Sequence, residues 1–285
     1  MMAAMSMMWN PGDPRHPTTI EDDALLNAGG HAGIISVFSL AWPPTLDGGS
    51  DVAFPSRALF VGIDLYAPGG RTASHTHPDR EKVFVVNAGS VRMTVADESR
   101  VLEPGGLVFV PVAVDHAFEN AGDGNLQALQ VIAYPASVDA EADAGAGARQ
   151  GFSRMWSPSD PRHPSTVDGR DLPPSRHVGV LSTNTLVGPG KLYGGTVPGY
   201  APARRMEVGV DTYAPGGSSP THRHADREKL FVVLDGQARI WVGDESRVLD
   251  RGGLAFVPAD TPHGFENPGT GDLQLLSIVA LLTEP

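Results

Sequence analysis

The chain has 285 residues, 41% of them hydrophobic, no cysteine, and a net charge of −12. A globular chain of about two ordinary domains is implied, with no disulfide, thiolate ligand or cysteine nucleophile. The acidic balance and the lack of a Lys/Arg cluster speak against nucleic acid and anionic membranes as partners. No stretch approaches the roughly 20 apolar residues of a membrane span. The Met-rich start, Met1–Met8, lacks a basic n-region, so a soluble cytoplasmic protein is expected, a monomer or homo-oligomer.

Taken in order, the chain opens on Trp9-Asn-Pro-Gly-Asp13-Pro-Arg15-His16-Pro17. This returns as Trp156-Ser-Pro-Ser-Asp160-Pro-Arg162-His163-Pro164, 147 residues later. Proline at this density breaks helices and central strands, so an extended arm packing across a barrel edge or the neighbouring half is expected. His16 and His163 read as hydrogen-bonded arm histidines rather than site residues.

Ile34–Leu40 reads as a strand. Ala58–Tyr66 alternates and stops at Ala67-Pro68-Gly69-Gly70, a turn signal that returns at Ala214-Pro215-Gly216-Gly217. Lys82–Val86 is β-branched and aromatic. Asn87-Ala88-Gly89 turns it, and the counterpart Asp235-Gly236 is a hairpin signal. Val91–Ala96, a tip at Asp97-Glu98-Ser99, Arg100–Leu102, a turn at Glu103–Gly106 and Leu107–Val110 follow. Leu126–Tyr134 closes the half. Every strand is expected to have its counterpart 147 residues on, with no net gap. Many short strands, frequent turns and little helical periodicity predict an all-β chain of two sandwiches or barrels. The domains are expected at 1–140 and 156–285. The Ala/Gly/Asp-rich stretch after Tyr134 supplies a linker, set at 141–155.

The chemistry sits in His75-Thr76-His77, Glu81 and His116, and again in His222-Arg223-His224, Glu228 and His263. Residues two apart in a strand share a face, so His75 and His77 are neighbours. Glu81 keeps their parity. His116 comes from another strand. Imidazole and carboxylate donors suit Fe, Mn, Ni, Zn, Co or Cu without choosing among them. One divalent transition metal per half is expected. Four protein ligands on an octahedral ion leave two positions for a small-molecule substrate, or for substrate and dioxygen.

These motifs resemble the cupin superfamily, and the duplication resembles a bicupin. Gly69, five residues, His75-Thr-His77, three residues and Glu81 follow the family's first motif, as do Gly216, His222-Arg-His224 and Glu228. Gly105, Pro111, His116 and Asn120 follow the second, as do Gly252, Pro258, His263 and Asn267. The resemblance implies two tandem conserved β-barrels of double-stranded β-helix (jelly roll) form, each with a metal in its mouth. One departure leaves two alternatives. Seven residues, not six, separate Glu81 from Gly89, and Glu228 from Gly236, so counting back from the glycine puts Lys82 and Lys229 at the ligand position. Parity and distance from the HxH favour Glu81 and Glu228. The alternative is a three-histidine site with an amine beside it. A second departure puts Ala113 and Asp260 where the family has glycine.

Phe84, Phe109, Phe118, Phe231, Phe256 and Phe265 read mainly as aromatic core. Tyr66, Tyr213, Gln127, Gln274, Arg57, Arg92, Arg204 and Arg239 are weaker candidates for substrate contact. The expected function is a metal-dependent enzyme acting on a small oxygenated organic molecule, by resemblance most often a dioxygenase-type oxidoreductase. Glu81 or Glu228 would serve as general base. A non-redox isomerase, cyclase or lyase and a non-enzymatic metal- or ligand-binding bicupin are the alternatives.

Overall fold

The computed structural model describes residues 6–16, 18–43, 54–134, 153–160, 165–172, 176–188, 201–203 and 205–282. His163, Arg204 and most of the expected linker lie outside them. Two nearly closed barrel-shaped sheets make up the chain, with one short helix at Asp23–Leu26 and a 3-10 turn at Gly169–Asp171 among the described residues. No helix is long and apolar enough to cross a membrane among these residues.

The compact units are not contiguous segments. One contains Arg15–Ala53 and Leu59–Asp160; the other contains Met1–Pro14, Phe54–Ala58 and Pro161–Pro285. The arms account for this. Met155–Trp156 adds to the edge of Leu107–Val110, and Met8–Trp9 adds to the edge of Leu254–Val257. Each arm is fastened by an Arg–Asp ion pair, Arg100 with Asp160 and Arg247 with Asp13. Met155 and Met8 are buried in the cores of the barrels they join. Each arm thus covers backbone groups that an open strand edge would expose.

In the N-terminal barrel the hydrogen-bonded order is Met155–Trp156, Leu107–Val110, Glu81–Ala88, Leu126–Ala133, Leu59–His75, His116–Asn120, Val91–Val95 and Glu98–Leu102. The 17-residue strand Leu59–His75 closes the wall. Its first part pairs with Leu126–Ala133 and its last part with His116–Asn120. The C-terminal barrel repeats this with Met206–His222, Leu273–Leu281 and His263–Glu266.

Pro-Gly-Gly is therefore not the turn expected at 67–70. It is the corner where one strand passes from one partner to the next. Gly69 sits at φ 72° and Gly216 at φ 74°, a region open to glycine. A Cβ on Gly70 would lie 2.8 Å from the Ala67 carbonyl oxygen, so the corner has no room for a side chain. Asn120 clamps it, donating from Nδ2 to the carbonyls of Tyr66, Ala67 and Gly124 at 3.2, 2.9 and 2.9 Å. Asn267 does the same for Tyr213 and Gly271. Both asparagines are buried, so truncation leaves dry carbonyls. Asn267→Ala is expected to cost about 2–4 kcal/mol of unfolding free energy, read by urea titration. A loss within about 0.5 kcal/mol would mean the corner holds without the clamp.

Asp235-Gly236 is likewise not a hairpin. Arg227–Asp235 pairs with Leu254–Val257 and Leu273–Leu281, whereas Gln237–Val242 pairs with Glu245–Asp250 and His263–Glu266. Gly236, at φ 78°, carries the chain from one partner set to the other, passing 2.6 Å (at its would-be Cβ) from the Asp272 carbonyl oxygen. The reversal expected at 97–99 falls one residue earlier. Ala96 takes φ 53°, and Glu98 and Ser99 already pair with Val95 and Thr94.

Candidate metal centre

Strand pairing brings the distant histidine to the HxH. His75 lies opposite His116 in the antiparallel register, and His222 lies opposite His263. In the first triad the ring centroids are 4.8 Å (His75–His77), 4.3 Å (His75–His116) and 5.4 Å (His77–His116) apart. In the second they are 4.9, 4.4 and 5.7 Å apart. One nitrogen from each ring falls within 4.8 Å of the others in both triads.

The tautomers are set by the backbone. Nδ1 of His75, His116, His222 and His263 lies 2.8, 3.1, 2.8 and 2.8 Å from the carbonyl oxygens of Ala73, Val114, Pro220 and Thr261. A carbonyl only accepts, so each Nδ1 carries the proton and each Nε2 keeps its lone pair. Nε2 of His116, His224 and His263 is buried without a hydrogen-bond partner. In the second triad two such buried nitrogens, those of His224 and His263, face each other, and in the first that of His116 stands alone. Unpartnered buried ring nitrogens within a histidine triad fit a cation. Three imidazoles per barrel thus suit a divalent transition metal without selecting which.

Burial, with the nearby Lys82 and Lys229 charges, pushes His77 down to about 3 and His224 to about 4. Burial also takes His116 and His263 to about 4. All four rings are neutral near pH 7, the form that ligates. Because their folded values are depressed, the unfolded chain binds more protons from about pH 6.5 down to about 4, and to about 3 for His77. Their stabilisation is complete above that window and is lost as pH falls through it. Asp64 and Asp211, both pushed up to about 6 by burial, act in the opposite direction but are outnumbered. The urea midpoint of metal-free protein is therefore expected to be lower at pH 5 than at pH 7. An equal or higher midpoint at pH 5 would contradict these environments.

Glu81 and Glu228 are not brought to the triads. The Glu228 carboxylate accepts from Ser56 Oγ at 2.7 Å, Arg57 N–H at 2.7 Å and Ala58 N–H at 2.9 Å. It is 1% exposed, and Glu81 is 2% exposed. Shared parity holds only along an unbroken strand. The strand ends at His75 and the next starts at Glu81, with a turn at Pro78-Asp79 between them. That turn resets the alternation and puts the following residue inward. Lys82 Nζ stands 2.8 Å from His77 Nε2. Lys229 lines the cavity of the second barrel. The arrangement is three histidines with an amine beside them. Burial pushes both lysines down to about 8.

The cavity in the C-terminal barrel measures about 720 Å³ and is lined by His222, His224, Lys229, Asp211, Tyr213 and Phe265, among others. Phe231 also faces it, while Phe256 belongs to the buried core. Phe84 and Phe118 pack in the first barrel core around Tyr66. His16, in the arm, stacks on Phe38 of the strand His31–Trp42 with ring centroids 5.0 Å apart. Arg239 pairs with Glu266 on an exposed face.

Two site residues escaped the sequence reading. His31 lies 6.4 Å from His75, with Nδ1 3.0 Å from Thr72 Oγ1. His177 lies 6.4 Å from His222, with Nδ1 2.9 Å from the Tyr213 hydroxyl. Their signal is His-x-Gly, His31-Ala-Gly33 and His177-Val-Gly179, spaced by 146 rather than 147. The expectation of a gapless repeat hid it. Gly33 and Gly179 both take positive φ against the Pro-Gly-Gly corner, which confirms the match.

Known proteins agree with this fold. The cupin domain family matches residues 62–132 and 209–279. The chain is 33% identical over 67 residues to mannose-1-phosphate guanylyltransferase RfbM of Salmonella typhimurium, covering 24% of this chain and 14% of that protein. It is 29% identical over 86 residues to auxin-binding protein 1 of Arabidopsis thaliana, covering 27% and 43%. The chain thus spans less than half the length of either relative. Among solved structures, salicylate 1,2-dioxygenase from Pseudaminobacter salicylatoxidans superposes with TM-score 0.56 at 15% identity, over 86% of this chain and 76% of that one. Oxalate decarboxylase from Lactobacillus farciminis superposes with TM-score 0.51 at 15% identity, over 96% and 89%. With both motifs, both barrels and both matched segments in place, the chain belongs to the cupin superfamily as a bicupin, two tandem cupin domains in one polypeptide.

Proposed function

We propose that this bicupin is a metal-dependent oxidoreductase of the dioxygenase type, acting on a small oxygenated organic acid in the C-terminal barrel. The observation that carries this reading is the second histidine triad, two of whose rings, His222 and His224, line a cavity of about 720 Å³. A divalent metal held there would polarise a chelating substrate and, if redox-active, gather dioxygen beside it. Three protein ligands leave more room around such an ion than the four expected, enough for a two-point chelate and a further small molecule.

The chain's own groups supply the rest. Lys229 offers a charge to the substrate's carboxylate or enolate oxygen. Asp211, half-buried and pushed up by desolvation to about 6, holds or gives a proton. Phe231, Phe265 and Leu275 keep one wall dry. Since Glu228 is engaged by Ser56 and two backbone amides, the base role expected of it passes to Lys229 and Asp211 in this reading.

That same Lys–Asp pair favours the second reading, a non-redox isomerase or lyase, because proton transfer needs no oxidant. Oxygen uptake separates the two. Metal-loaded protein is offered catechols, hydroxybenzoates, diketones and 2-hydroxy acids. Turnover with stoichiometric oxygen consumption supports the dioxygenase. Turnover without it supports the isomerase or lyase. Bound metal with no turnover leaves a binding protein. Lys229→Met is expected to lower kcat/KM by about 100-fold, the scale of one proton-transfer group. A change under about threefold would remove Lys229 from the chemistry.

A further inference from the structure

The two barrels share their triads but not the wall beside them. In the C-terminal barrel, Glu207, Val279 and Lys229 form one row across three paired strands, with Gly209, Ser277 and Phe231 in the next row. The matching rows in the N-terminal barrel are Phe60, Ile132 and Lys82, then Gly62, Gln130 and Phe84. Phe60 turns its ring over Gly62, where a Cβ would meet it at 2.6 Å. Over Gly209 the nearest such atom is the Asn184 carbonyl oxygen at 3.1 Å, and no Glu207 atom lies within 4 Å. Val37, packed on the first barrel core, stands where Thr183 bonds Asp211 in the second.

A second difference is independent. Thr72 bonds His31 in the first barrel. Its counterpart Ser219 is 0% exposed, lines the cavity, and has no partner for its Oγ. A buried hydroxyl facing a cavity without a partner marks a place for a ligand's polar atom. Glu207, Asp211 and Ser277 line the same cavity. The carboxyl and hydroxyl oxygens of Glu207, Ser219 and Ser277 on this cavity can accept from a group that donates hydrogen bonds.

Building on the metal-centre reading above, we propose that Glu207, Ser219 and Ser277 form a second binding end in the C-terminal barrel. It receives a hydrogen-bond-donating group, hydroxyl or ammonium, at the far end of an organic acid whose carboxylate end meets the triad and Lys229. The apolar Phe60 and Val37 deny the N-terminal barrel this end, so the two barrels differ in substrate preference although their metal ligands match.

The test uses calorimetric titration of the metal-loaded full chain with three acids sharing one chelating unit. These are 2-hydroxybutanoate, 2,4-dihydroxybutanoate and 4-amino-2-hydroxybutanoate, which end in a methyl, a hydroxymethyl and an aminomethyl group. At least one donor-ended acid is expected to bind about tenfold tighter than the methyl-ended one, the scale of one or two net hydrogen bonds. Which one is favoured tells hydroxyl from ammonium. Ser219→Ala, a small change at a buried site, is expected to cut that ratio to about threefold or less, and Glu207→Leu to abolish it. The preference should survive His75→Ala and vanish in His222→Ala. Equal binding of all three acids, or a ratio untouched by both wall variants, overturns the second binding end alone. Binding of all three that is unchanged in His222→Ala instead overturns the metal-centre reading.

Discussion

Glu228→Leu is expected to lower the unfolding free energy by about 3–5 kcal/mol and to leave the metal content of the C-terminal triad at its wild-type level. The carboxylate is 1% exposed and accepts three hydrogen bonds, from Ser56 Oγ and from the amides of Arg57 and Ala58. Leucine cannot accept any of them, so two backbone donors and a hydroxyl are left dry. The motif would make the same glutamate a metal ligand and a base. The two roles predict opposite results. Urea titration and elemental analysis on one preparation decide between them. A variant of wild-type stability that has lost its C-terminal metal would return Glu228 to the ligand set.

Loss of the triads is expected to have the larger chemical effect. His75→Ala should remove about half the bound metal, and His75→Ala with His222→Ala nearly all of it, since each barrel keeps only two ligand rings. If the second binding end governs turnover, the single variants separate further. His222→Ala should abolish turnover, whereas His75→Ala should retain most of it. Full metal content in the double variant would place the ions elsewhere. Equal activity loss in both single variants would mean that both barrels react.

The repeat, the all-β class and the six histidines were readable because each rests on a local rule. Alternation reveals strands, glycine and proline punctuate them, and HxH puts two rings on one face. The glutamates misled because parity was carried across Pro78-Asp79, where the chain turns. His31 and His177 stayed hidden because a one-residue shift broke the fixed spacing. Gly69-Gly70 and Asp235-Gly236 show the limit of turn signals. Glycine announces an unusual φ, yet whether the chain reverses or changes partner depends on which strands it meets.

By itself, the order of residues determined that this protein would build two like β-barrels and would carry three imidazoles toward each mouth. Those outcomes follow from periodicity and spacing along the chain. Tertiary structure alone decided that Lys82 and Lys229, not the glutamates before them, face the imidazoles. It also decided that Glu207 and a Ser219 hydroxyl without a partner line the cavity of one barrel while the Phe60 ring covers the matching wall of the other. Strand register and burial set both: parity and the glycine count had pointed to different residues beside the triads, and only the folded walls chose between them.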